Sequence, residues 1–255
     1  MTILGELKIF LSNILYWIYS FVGFSCFFFV FGFKKLVIFG NNHYFPWPTE
    51  NPISVMVFNR VRSDLLPAGV QLIVTNPMSA FVSQILFSFV LGFLFTAPIF
   101  IYQLIKYLQP ALLPKERKVV LWSVVPFSGL FFSGCLFSYF FLIPATFDVL
   151  YPYATKIGAA PFFSIDEFIY YIFGLMISVG VMFLLPLFMA LLSLLRIIQA
   201  DFWWRNWRYA FLFFLILSAI ITPDGTGVTM ILLFLPLAAL YFSGYLLSRK
   251  LDQLI

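Results

Sequence analysis

The sequence predicts an all-α, polytopic membrane protein of six transmembrane helices, with both termini cytoplasmic and a short fifth and sixth helix. Three observations lead there. Hydrophobic residues make up 63% of the 255 positions and charged residues 10%, where soluble domains carry about 25% charged. The apolar residues gather into separate runs whose cores lack Asp, Glu, Lys, Arg and His, as hydrocarbon-spanning helices require. The lysines and arginines fall unevenly on alternate connections. A soluble chain of this size could not hide so much apolar surface, so residues 1–255 are read as a single membrane domain.

The first run, residues 9–33, is long enough to span with some tilt. Glu6 and Lys8 precede it, and the run is too long for the apolar part of a cleaved signal, so it is expected to be retained. Residues 34–76 mix polar and apolar positions around Pro46, Pro48, Pro52 and Pro67, with Pro77 just beyond. They are too broken for a span, although residues 53–66 fit a short amphipathic helix ending before Pro67. The second span covers residues 80–105 and carries Gln84, Pro98, Tyr102 and Gln103. The third covers 119–143 and is expected to close at Pro144. After a loop at 148–164, Ser164 with Asp166 and Glu167 forms a good helix start. The fourth span, 168–195, is interrupted by Pro186. The fifth, 209–222, offers about 21 Å of helix against a core of about 30 Å. Pro223, Asp224 and Gly225 turn the chain into the sixth, 228–247, which has Pro236 near its middle.

Six spans place both termini on one side. That side collects Lys8, Lys106, Lys115, Arg117, Lys118, Arg196, Arg205, Arg208, Arg249 and Lys250, and the other holds Lys34, Lys35, Arg60, Arg62 and Lys156. The positive-inside rule makes the richer side cytoplasmic. The net charge of +5 is spread over loops, so it reads as orientation chemistry and not nucleic-acid binding.

Several function classes lose support here. Ion-coupled carriers and proton pumps usually hold an ionisable group within the bilayer, and the span cores have none. His43 stands alone, and Cys26 and Cys135 lie in apolar runs. No metal cluster, cofactor site or nucleophile–base pair can be assembled, and no enzyme is expected. The remaining candidates lie at the cytoplasmic edge: Glu6, Lys8, Glu116 among its basic neighbours, and Asp201 beside a tryptophan-rich run at 203–208. On residue chemistry alone these read first as ordinary interfacial charges and aromatics, with a binding site as the other reading. A six-span small-molecule permease or channel is the alternative, and it would call for matching broken halves near mid-membrane.

The order of short motifs resembles the TatC family, the multi-spanning receptor subunit of the twin-arginine protein translocase. Leu4-Gly5-Glu6-Leu7-Lys8 is similar to the family's H-L-x-E-L-R element. Ala97-Pro98 through Tyr102-Gln103, then Pro110-Ala111-Leu112 and Glu116-Arg117-Lys118, resembles its A-P-x-x-x-Y-Q, P-A-L and E-(K/R)-(K/R) series. Thr75-Asn76-Pro77, Ser164 to Phe168, Thr222-Pro223-Asp224, and Pro236 with Tyr241 fit further elements. The likeness covers nearly the whole chain, in order. It implies a concave six-helix bundle in a prokaryotic plasma membrane, ahead of an organellar inner or thylakoid membrane. It also implies a receptor for the twin-arginine signal peptides of folded precursors. Such a receptor works with single-span TatA/TatB-like subunits in an oligomeric complex driven by the membrane potential. Signal binding is implied for Glu6, Lys8, Tyr107, Glu116 and Arg117. Structural motif roles are implied for Pro98, Tyr102, Gln103, Pro110, Pro144, Pro186, Pro223, Asp224 and Pro236.

The chain departs from the pattern at four places. Leu184 stands where relatives carry a glutamate linked to docking the single-span partner. Ser79 replaces the glutamate of P-x-E-x-F. Phe242 replaces the acid of a Tyr-Glu pair, and Lys8 and Phe10 replace two arginines.

Overall fold

The apolar runs become helices, and proline, glycine and hydroxyl positions decide where each bends or ends. The computed structural model describes residues 3–38, 41–49, 51–66, 70–74, 76–108, 121–156, 158, 162–222 and 227–254. These fall into two compact units, Met1–Tyr107 with Phe162–Tyr170, and Leu108–Pro161 with Tyr171–Ile255. Among the described residues four helices are long and apolar enough to cross a membrane: Ser79–Tyr107, Val124–Pro152, Ile165–Leu194 and Val228–Asp252. Two shorter apolar helices, Ile14–Val30 and Trp207–Ile221, stand where the first and fifth spans are expected.

The first unit opens with α1 (Ile3–Val30). It stops three residues short of the expected end, because Phe31–Ile38 (β1) pairs antiparallel with Asn41–Pro48 (β2) from Phe31↔Pro48 to Ile38↔Asn41. Strands were not expected here. Pro46 and Pro48 lack a donor and can sit only in an edge strand. Buried Gly32 lies against the Asn51 carbonyl and the Thr49 hydroxyl, where a Cβ would overlap both. Helix α2 (Ile53–Leu65) matches the amphipathic helix expected there, burying Ser54, Val61 and Leu65 and exposing an Arg60–Asp64 pair at 3.2 Å.

Gln71–Ile73 (β3) runs parallel to Phe162–Ser164 (β4), and α3 (Ser79–Leu108) follows. Pro98 inside α3 has no N–H for the carbonyl four residues back, and two residues earlier buried Thr96 donates its Oγ1 hydroxyl to the Gly92 carbonyl at 2.8 Å. Helices α1 and α3 pack antiparallel. Gly92 lies directly on Ser25, and ring pairs run Phe29–Phe81, Phe24–Phe95, Phe21–Phe89 and Trp17–Phe100 along the pair. The first turns of α6 (Ile165–Met182) carry Asp166 and Glu167, as expected. Asp166 accepts a hydrogen bond from the buried Ser83 hydroxyl.

The second unit holds α4 (Val124–Phe137), a π-helical turn at Ser138–Leu142, and α5 (Ile143–Lys156). Pro144 was expected to end this span, and it does not. The Ile143 N–H reaches the Ser138 carbonyl five residues back, and this wider turn makes room for the proline ring that an α-turn would crowd. The helix therefore continues through the start of the expected loop to Lys156. The later turns of α6 approach α4 closely, since a Cβ at Gly134 would meet Phe183 Cγ at 2.8 Å and Gly180 Cα at 2.9 Å. Pro186 breaks the fourth span as expected. After the turn at Phe183 and Leu184 the chain resumes as α7 (Leu185–Leu194).

Three helices complete the unit: α8 (Ala200–Arg205), α9 (Trp207–Ile221) and α10 (Val228–Leu254). Helix α9 has 15 residues, short as expected. Helix α10 has 27 residues, and so is not short. It runs past the apolar limit at Leu247 because nothing in Ser248–Leu254 breaks a helix. It packs along α7, with Gly244 against Pro186 and Met189. Asp252 reaches back to accept the Ala200 N–H at 2.7 Å, supplying α8 with a cap from 52 residues away. Tyr241 donates its hydroxyl to the Trp203 carbonyl at 2.6 Å.

Two substitutions test this packing. A Cβ at Gly244 would lie 2.8 Å from Pro186 Cα and from Met189 Sδ. Gly244→Val should therefore cost about 1–3 kcal/mol and lower the Tm of the detergent-purified protein. Gly129 has open space around it, so Gly129→Ala should leave the Tm unchanged or raise it.

Candidate functional site

The sequence-predicted site falls at one end of the α1–α3 pair. Because the helices are antiparallel, the first turns of α1, which carry Glu6 and Lys8, stand at the same end as the last turns of α3. The side chains of Glu6 and Lys8 lie outside the described residues, as do Pro110, Glu116 and Arg117 entirely. On α3, Lys106 and Tyr107 are exposed at the last turn. One turn earlier Tyr102 is exposed while Gln103 is half-buried.

Two polar atoms on this helix pair stand out, one on a residue of the expected motif series and one that the sequence did not mark. The Gln103 Oε1 and the Trp17 Nε1 are buried and have no hydrogen-bond partner. One is an acceptor and the other a donor. Trp17 packs between Phe93 and Phe100 at ring distances of 6.3 and 4.9 Å. An orphan polar atom away from water costs roughly 1–3 kcal/mol, which points to a function that uses it. Gln103 was visible as a polar residue within an apolar run. Nothing marked the Trp17 nitrogen among so many aromatics.

The other predicted positions disperse. Pro98, Pro144, Pro186 and Pro236 each lie within or beside a span and shape its helix, while Pro223 and Asp224 lie outside the described residues. Leu184 occupies the break between α6 and α7, half-buried, its N–H bonded to the Val181 carbonyl at 3.1 Å. Ser79 is buried and bonds the Asn76 carbonyl at 2.8 Å through its hydroxyl, so here it starts a helix. Asp201 is exposed on α8.

A cavity of about 220 Å³ lies in the first unit between α2, α3 and the start of α6. Its walls are mostly apolar, with Ser83, Gln84 and a buried, unpartnered Ser54 hydroxyl among them. Ser54 carried no sequence signal, because an isolated serine on an amphipathic helix is ordinary.

Comparison with known proteins follows the same lines. The family profile described as "Sec-independent protein translocase protein (TatC)" matches residues 4–236. The chain is 33% identical over 217 residues to the Sec-independent protein translocase protein TatC of Cenarchaeum symbiosum (strain A), covering 85% of this chain and 82% of that one. It is 39% identical over 169 residues to a tatC-like protein, ycf43, of Trieres chinensis, covering 66% and 64%. Its fold is similar to that of the twin-arginine translocase receptor TatC crystallised in detergent, with a TM-score of 0.75, 23% identity, and coverage of 95% of this chain and 99% of that one. The ordered motifs, the helical architecture and a profile match across most of the chain agree, and this protein belongs to the TatC family of Sec-independent protein translocase proteins.

Proposed function

We propose that this chain is the signal-peptide receptor and core subunit of a twin-arginine translocase that exports folded proteins. Family membership supports the task. The observation that carries the site is the antiparallel packing of α1 on α3. It sets the turn holding Glu6 and Lys8 beside the end of α3 that leads through Tyr107 toward Glu116 and Arg117.

The chemistry fits a guanidinium ligand. A carboxylate accepts two parallel bonds from arginine, a geometry lysine cannot match. Glu6 and Glu116 take one arginine each, with Lys8 and Arg117 beside them in sequence. Tyr107 offers a ring face to the signal backbone or to a guanidinium. Charge-assisted bonds contribute roughly 1.5–3 kcal/mol each, against about 8 kcal/mol for micromolar affinity. The apolar segment of the signal therefore supplies much of the remainder, lying along α1 and α3, where the Trp17 N–H and the Gln103 carbonyl receive its backbone.

Single-span subunits dock by apolar packing in this member. Leu184 stands at the family's acidic position, and Val181 and Phe188 beside it are 54% and 56% exposed. The distribution of lysine and arginine supports a cytoplasmic site in a prokaryotic plasma membrane.

Binding of a twin-arginine peptide to membranes containing the full chain provides the test. Glu116→Lys should weaken it at least tenfold, as should Glu6→Ala combined with a twin-lysine peptide; unchanged binding in both would overturn the site. Gln103→Met separates recognition from folding. Removing a buried orphan acceptor should hold or raise the Tm while lowering peptide affinity, and unaltered affinity would take Gln103 out of the site.

A further inference from the structure

The second unit contains a polar cavity of about 540 Å³ at the ends of α7 and α10, next to α8. Four observations bear on what it holds. Arg196, in its wall, has φ 56°, the one positive φ outside glycine among the described residues. Its N–H bonds the Ser193 carbonyl at 2.9 Å and the Ile197 N–H bonds the Leu192 carbonyl at 3.1 Å, the capping pattern in which glycine is the usual residue at the left-handed position. An arginine held there is strained, and strain of this kind gathers at functional positions.

Second, neither Arg196 nor Arg249 is ion-paired within the described residues, although both line the cavity. Third, Ser193 is 1% exposed and lines the same wall with its hydroxyl unpartnered. Fourth, the two carboxylates differ. Asp252 already holds the Ala200 N–H at 2.7 Å, whereas Asp201 is exposed and unpaired among the described residues. The cavity thus presents two unpaired guanidinium groups, a buried hydroxyl and one spare carboxylate.

Its depth narrows the ligand. It sits where the spans Ile165–Leu194 and Val228–Asp252 end. Ile197, Phe202 and Trp204 beside it are 66%, 50% and 54% exposed, and Trp204 is of the type found at the boundary between hydrocarbon and headgroups. We propose that this cavity is a phospholipid headgroup site. Arg196, Arg249 and the Ser193 hydroxyl receive the phosphodiester, Asp201 receives a primary ammonium, and the acyl chains lie on the exposed apolar faces alongside. The paired charges match a zwitterionic aminophospholipid better than an anionic headgroup, and Arg196 offers a forked donor suited to phosphate oxygens.

The test uses the full chain in nanodiscs of phosphatidylethanolamine, phosphatidylglycerol or phosphatidylcholine, with retained lipid counted by native mass spectrometry. A detergent sample titrated with inorganic phosphate runs beside them. Wild type should retain the ethanolamine lipid most strongly. Arg196→Gly with Arg249→Gln should cut retention at least tenfold while the Tm holds or rises, since glycine relieves the left-handed position; a maintained Tm excludes misfolding as the cause. Asp201→Asn should erase the preference for ethanolamine over choline. Equal retention in the double variant, stronger retention of the glycerol headgroup, or displacement of lipid by millimolar phosphate would each overturn the assignment.

Discussion

Hydrocarbon offers a helix no hydrogen-bonding partner, and most of the structure follows from that. Among the described residues, serines and threonines and not charged groups are the buried polar side chains. Several return their hydroxyls to their own helix, as Ser88 does to Gln84, Thr96 to Gly92, Thr146 to Leu142 and Thr222 to Ser218, each at 2.8 Å. Small residues then let backbones approach, at Gly92 on α3, Gly134 and Gly180 on α4 and α6, and Gly244 on α10. The outer surface is the reverse of a soluble protein's, with Tyr16, Trp122, Val125 and Ile220 about 70% exposed.

Against that background the polar atoms left without partners stand apart. Gln103 and Trp17 lie on the helix pair leading to the proposed arginine site, and Ser193 lines the cavity at the far end of the chain. The first pair lies in one compact unit and Ser193 in the other. Both orphan atoms near the proposed signal site lie on α1 and α3, and the proposed lipid site draws on α7, α8 and α10.

Much of the architecture was legible because membrane spans are read from length and charge alone. Helix α2 and the 15-residue α9 fell where periodicity and run length put them. The misreadings have definite causes. The β1–β2 hairpin begins inside a phenylalanine-rich run, whose apolar character reads as a continuing helix. Pro144 stops a helix only where an α-turn must precede it, and a π-turn does so here. Helix α10 outlasts its apolar stretch because charged residues end a span without ending a helix. Of the candidate site, Glu6, Tyr107 and Glu116 were readable only through the order of family motifs, since single charges at an interface are commonplace. Arg196 was unreadable, because composition does not disclose a left-handed backbone.

The turn at Ser138–Leu142 acts on everything after it. In a helix of 3.6 residues per turn, one additional residue in a turn advances the phase by about 100°. The faces of Ile143–Lys156 are therefore set by a dislocation in the backbone and not by the apolar pattern upstream. A helical wheel drawn through Val124–Lys156 as one regular cylinder would misplace every position after the turn by about 100°. Removing a single residue there would reorient the far end of the helix without changing any side chain on it.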